Sequence, residues 1–105
     1  MGAKPPKNKD VVRLAQALLD KGLYIISAHA KQRQEERRIT LGDIKKVIQT
    51  GQHNEKKDQH TAQYNAWNYA IEGLTLEERK ARICVAFEEE LHMVIITVID
   101  IGRKK

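Results

Sequence analysis

The stretch LHMVIITVIDI, Leu91 to Ile101, is apolar at nearly every position. A strand turns successive side chains to opposite faces, so a run without polar alternation needs both faces out of water. That places it inside a sheet, and the rest of the chain must supply neighbouring strands and a covering layer. Two preceding segments read as those strands. YNAWNYAIEG sets Trp67, Tyr69 and Ile71 on one face and Tyr64, Asn68 and Glu72 on the other. ARICVAFEEE sets Ala81, Ile83, Val85 and Phe87 against Arg82, Cys84, Ala86 and Glu88. The links between the three runs are too short for a parallel crossover, so the strands are expected to be antiparallel.

The covering layer comes from the N-terminal half. DVVRLAQALLDKG has an apolar stripe at Val11, Leu14, Ala15, Leu18 and Leu19, with Asp10 as N-cap and Gly22 beyond the C-terminus. LYII reads as a brief strand or extended lead-in. Ser27 then caps a helix running to about Arg38, and TLGDIKKVIQTG is a third helix with capping-box spacing between Thr40 and Asp43. QHNEKKDQHTAQ is a polar loop or ragged edge strand. The expected fold is α+β: helices on one face of a three- to four-stranded antiparallel sheet, with the other face partly open. Residues 10–101 form the domain, flanked by a disordered basic tail (residues 1–9) and a second basic tail (residues 102–105).

With 105 residues there is room for one core. A formal net charge of +5 favours a polyanionic partner, nucleic acid before an anionic membrane. The single cysteine, Cys84, excludes an internal disulfide and any cysteine-rich zinc site, and reads as an inert strand thiol. No stretch approaches the length of a membrane span and no signal peptide opens the chain, so a soluble cytoplasmic protein is expected. His53 and His60 sit in a polar loop and read as solvated residues rather than metal ligands.

The helix from Ser27 has almost nothing apolar to bury, yet it repeats cationic residues at four-residue steps: His29, Arg33, Arg37. His29 falls on the second helical position, beside unsatisfied backbone N–H groups and the positive end of the helix dipole. Like charges one turn apart destabilise a helix by roughly 0.2–0.5 kcal/mol per pair, so something must offset them. Glu36, three residues from Arg33, makes the row an ion-paired surface. A buried variant hydrogen-bonds His29 under the sheet and bridges Arg33 to Asp43. A bound phosphate makes the row a site.

The order of these motifs resembles a family of small bacterial proteins known as domain of unknown function 4258. The resemblance rests on SAHAKQRQEERRITLGDIKKVIQTGQ: Ser27, His29, Ala30, Arg33, Arg37, Ile39, Thr40, Asp43 and Ile44, with the closing strand around Thr97. One departure is Gln34, where the family often has Met. That family in turn is similar in element order to the RelE and MqsR ribonuclease toxins. The resemblance implies an RNA-directed, toxin-like domain that cleaves RNA without metal or other cofactor and is neutralised by a cognate antitoxin. It leaves the oligomeric state open.

Such chemistry needs a base for the 2′-OH, cations for the phosphorane and an acid for the leaving 5′-oxygen. His29, Tyr64 and His92 are the candidates for proton transfer. Ser27, Arg33, Arg37 and Arg82 are the candidates for phosphate binding. Tyr64 and His92 also read as ordinary strand residues, and Trp67 and Tyr69 as core. The alternative class is a non-catalytic basic module that binds nucleic acid or a protein partner without turnover.

Overall fold

A computed structural model of the chain describes residues 4–62, 65–89 and 91–103. Helices α1 (Val11–Asp20), α2 (Ala28–Arg37) and α3 (Leu41–Thr50) accompany strands β1 (Tyr24–Ile26), β2 (Gln52–His53), β3 (Gln59–Thr61), β4 (Ala66–Leu74), β5 (Arg79–Glu88) and β6 (His92–Arg103). The sheet is six-stranded, ordered β1-β6-β5-β4-β2, with β3 also on β4. β4, β5 and β6 form the expected antiparallel meander. The all-antiparallel, three- to four-stranded expectation is corrected at both margins. β1 pairs parallel to β6, Ile25 opposite Val94, and β2 and β3 extend the outer side of β4. The crossover argument applied only to neighbouring strands. Between β1 and β6 lies most of the chain, which is ample for a parallel return.

The core lies between α1, α3 and one face of the sheet. Ile44, Val47 and Ile48 of α3 and Ala15 and Leu18 of α1 meet Ile71, Ile83, Val85, Met93, Ile95 and Val98. α3 is held at its start by the full capping box, Thr40 accepting from the Asp43 amide while Asp43 accepts from the Thr40 amide. Its far end touches β4 closely: a Cβ at Gly73 would lie 3.0 Å from the Gly51 Cα. Gly22 takes a φ of +73° just past α1, as its position suggested. Asp10 precedes α1 without a side-chain cap bond, so the helix starts on backbone geometry alone.

Two segments differ in character from their composition. Residues 4–9, within the expected disordered tail, lie along the end of β4. Trp67 Nε1 donates to Pro5 O at 2.8 Å, and the Asn8 amide donates to the Tyr69 hydroxyl at 2.9 Å. The polar stretch after Gly51 is organised around Asp58, whose fully buried carboxylate accepts from the Ala70 amide, His53 Nε2 and Lys7 Nζ. His53 is therefore paired rather than merely solvated. At the C-terminal end β6 runs through Arg103, into the stretch expected as a basic tail.

Candidate functional site

Helix α2 owes its place to the edge of β6. β1 covers β6 only from Met93 to Ile95, so beyond that point the strand offers unpaired carbonyls to α2. Ser27 Oγ donates to Ile96 O at 3.0 Å while accepting from the Ala30 amide at 3.0 Å, capping the helix and docking it at once. Arg37 Nη1 donates to Val98 O at 2.6 Å. Side-chain donors thus stand where a neighbouring strand would have put backbone N–H groups.

The His29, Arg33, Arg37 row winds around this helix. Each four-residue step advances about 40°, so the row turns about 80° from end to end. His29 is exposed, Arg33 is half-buried, and Arg37 has reached the sheet edge. Arg33 Nη1 lies 2.6 Å from Glu36 Oε1, and that hydrogen bond holds the Glu36 carboxyl below the usual carboxylate range. Among the described residues His29 has no side-chain hydrogen bond. Arg33 turns to Glu36 rather than to Asp43, which instead accepts from the Thr40 and Leu76 amides.

A residue that sequence reasoning passed over closes the far end of α2. Arg79, 8% exposed, donates to Arg37 O at 2.9 Å and Arg38 O at 2.7 Å, and pairs with Asp100 at 3.1 Å. It supplies donors to helix-end carbonyls that have no intrahelical partner. A lone Arg at the start of an alternating strand carries no local signal of that role.

The sheet face away from α1 and α3 carries the remaining candidate. Ile99, Arg82 and Glu72 are opposed across β6, β5 and β4, and opposed residues share a face. Arg82 Nε lies 2.6 Å from Glu72 Oε2. Burial pushes the Glu72 carboxyl up, but the bonds from Arg82 and Asn54 outweigh it and the net displacement is downward. Burial raises the Cys84 thiol, so it is no ready nucleophile. Lys57, Asn68, Arg82, Cys84, Thr97 and Ile99 line a cavity of about 250 Å³ here. A broader cavity of about 580 Å³ lies at the β2–β4 edge of the sheet against the end of α3, with Lys46, Thr50, His53, Asn54, Glu72 and Lys80 in its walls.

Of the proton-transfer candidates, the structure places His29 on α2 and His92 at the start of β6. His92 is exposed at the β5–β6 hairpin, opposite Glu88 and four residues before the Ile96 carbonyl where Ser27 docks. At about 3.3 Å per residue that is roughly 13 Å along the strand. Tyr64 lies outside the described residues. Neither His29 nor His92 lines the two cavities. Trp67 and Tyr69 turn to the core side, as expected, with Lys7 Nζ 4.4 Å from the Trp67 ring centre. Among the described residues no three His, Cys, Asp or Glu side chains are placed to hold a metal ion, and no helix is long and apolar enough to cross a membrane.

A family model described as Domain of unknown function (DUF4258) matches residues 26–100, from the end of β1 through Asp100. No curated protein and no solved structure matches the chain.

Proposed function

The chain belongs to the DUF4258 family, and from that premise we propose that it is a cytoplasmic, RNA-directed domain of RelE/MqsR toxin type, a metal-independent endoribonuclease restrained by a separate antitoxin. The observation that carries this reading is the state of His29. It is exposed and without a hydrogen-bond partner among the described residues, on the first turn of a capped helix, with a guanidinium one turn behind it. As general base, the imidazole takes a proton from a ribose 2′-OH. The 2′-oxygen then bonds to phosphorus and the bond to the 5′-oxygen breaks, leaving a 2′,3′-cyclic phosphate. The α2 amides and Arg33 offset charge on the phosphorane. Protonation of the leaving oxygen needs a second group, for which His92 at the β5–β6 hairpin, Tyr64 or water is the candidate.

The rival reading, binding without turnover, draws on a different observation. All three arginines of the expected phosphate set already have partners: Arg33 with Glu36, Arg37 with Val98 O, Arg82 with Glu72. A clamp that must first release its partners binds more weakly than a preorganised one.

The test uses purified protein and end-labelled single-stranded RNA in a metal chelator. The wild type is expected to cut it, leaving cyclic phosphate ends, and His29→Ala to abolish cutting with binding within about twofold. Arg33→Ala is expected to weaken binding and reduce its salt dependence by about one phosphate contact. RNA binding without any cleavage by the wild type selects the rival reading. No RNA binding at all overturns both RNA readings.

A further inference from the structure

The uncovered sheet face is divided lengthwise by chemistry. On its β1–β6 half, Ile25, Val94, Ile96 and Ile99 form an aliphatic stripe interrupted at Thr97, with Leu23 and Ile101 exposed near its two ends. Ile25 is opposite Val94, Ile99 is opposite Arg82, and the core-facing Met93, Ile95 and Val98 alternate with them. Ile25 is 61% exposed and Leu23 and Ile101 39% each. On the β4–β5 half stand Arg82 and Lys80, and Lys57 reaches over from the loop before β3. Lys57 and Lys80 have no carboxylate within ion-pair distance among the described residues. Ile96 and Ile99 share one cavity with Lys57 and Arg82, so the two halves meet without a gap.

A sheet with helices on only one side, and an aliphatic stripe on the other, lacks a layer. The chemistry of the face selects what that layer is. Single-stranded nucleic acid would use aromatic rings as stacking platforms. Every aromatic residue placed by the structure, Tyr24, Trp67, Tyr69 and Phe87, packs against the core on the other side. An aliphatic stripe bordered by two lysines without carboxylate partners among the described residues instead matches a helix whose apolar face is flanked by carboxylates.

We propose that this face docks an acidic amphipathic helix supplied by a separate polypeptide, with the helix's apolar side on the β1–β6 stripe and its carboxylates over Lys57 and Lys80, while Arg82 stays on Glu72. The docking does not depend on RNA cleavage. His29 and Arg33 lie on α2 rather than on this face, so either conclusion can fail without the other.

The probe is a synthetic helical peptide with leucines along one side and glutamates flanking them, compared with the same peptide carrying lysines for glutamates. Binding is followed by titration, and its location by amide hydrogen exchange on the full chain. The acidic peptide is expected to bind at least about tenfold more tightly than the basic one and to protect β1 and the second half of β6. Ile25→Glu and Lys80→Glu each change an exposed side chain and are expected to keep the native circular dichroism while weakening the acidic peptide about tenfold or more. Equal binding of both peptides, absence of protection on this face, or unchanged affinity in both variants overturns the proposal. So does protection of the same face by a single-stranded RNA oligomer in place of the peptide. Concentration-dependent self-association lost in Ile25→Glu overturns it as well, because the occupant is then a second copy of the chain.

Discussion

Arg37 and Arg79 show how little the charge of a side chain says about its work. Arg37 belongs to a cationic row that looks solvent-facing in sequence, yet its guanidinium is spent on the Val98 carbonyl at a sheet edge. Arg79, on a strand, holds the carbonyls of Arg37 and Arg38 and the Asp100 carboxylate. Its Nε is buried without a hydrogen bond, the Glu77 carboxylate standing off at 3.9 Å. Removing a buried donor strands the acceptors it served, and each bond involving a charged group contributes about 1.5–3 kcal/mol. Arg79→Met is therefore expected to lower unfolding stability by about 2–3 kcal/mol in urea titrations. Arg37→Ala is expected to cost about 1 kcal/mol, in line with one half-buried bond. Arg33→Ala, which loses only an exposed pair with Glu36, is expected to change stability by less than about 0.5 kcal/mol. Equal effects at the three positions would refute this ordering.

The elements divide cleanly into those specified locally and those specified at a distance. α2 and α3 were legible from sequence because a cap is a relation across three residues: Ser27 to Ala30, Thr40 to Asp43. The β4–β5–β6 meander was legible because its side-chain alternation and short links are local too. β1 was legible as a short strand but not as a parallel neighbour of β6, since its partners begin at Met93. The candidate site follows the same division. His29 was placed correctly at the second position of a capped helix, whereas the commitments of Arg33, Arg37 and Arg82 depend on which acceptors come within reach. Asp58 and Arg79 escaped notice because nothing near them in sequence marks them as buried.

Asp43 joins a local element to a distant one and makes the fold acid-sensitive. Burial raises its carboxyl, but hydrogen bonds from the Thr40 and Leu76 amides lower it by more, leaving it below the ordinary aspartate range. A carboxyl depressed in the folded state binds protons more readily when unfolded. Its stabilising contribution is thus present at neutral pH and lost as pH falls below about 4 toward the folded value. Asp43→Asn keeps an acceptor for the amides but removes the titration. It is expected to be less stable than wild type at pH 7 and to lose less stability between pH 5 and 3, as measured by urea unfolding across that range. A parallel decline in both proteins would show that other carboxylates, Glu72 among them, carry the acid response.

At the scale of the whole molecule, the N-terminal segment ties the sheet's β4 end to the first helix. Pro5 accepts from the only tryptophan in the chain, Asn8 donates to Tyr69, and Lys7 both lies over the Trp67 ring and pairs with the buried Asp58. Because α1 begins at Val11, the same short stretch anchors the helix that covers one end of the core. Losing it leaves the indole N–H and the Tyr69 hydroxyl to water and removes one cation from a buried carboxylate. Each unmade bond costs about 1–3 kcal/mol at a buried group and less where water can replace the partner. A chain beginning at residue 10 is therefore expected to be less stable by about 2 kcal/mol. Its tryptophan emission should shift to longer wavelength while the protein is still folded, and Lys7→Met alone should reproduce part of the stability loss with the Pro5 bond intact. If the truncated chain keeps both the emission maximum and the unfolding midpoint of the full protein, the segment contributes nothing in solution. His53 would then be the principal side-chain partner holding Asp58 in place.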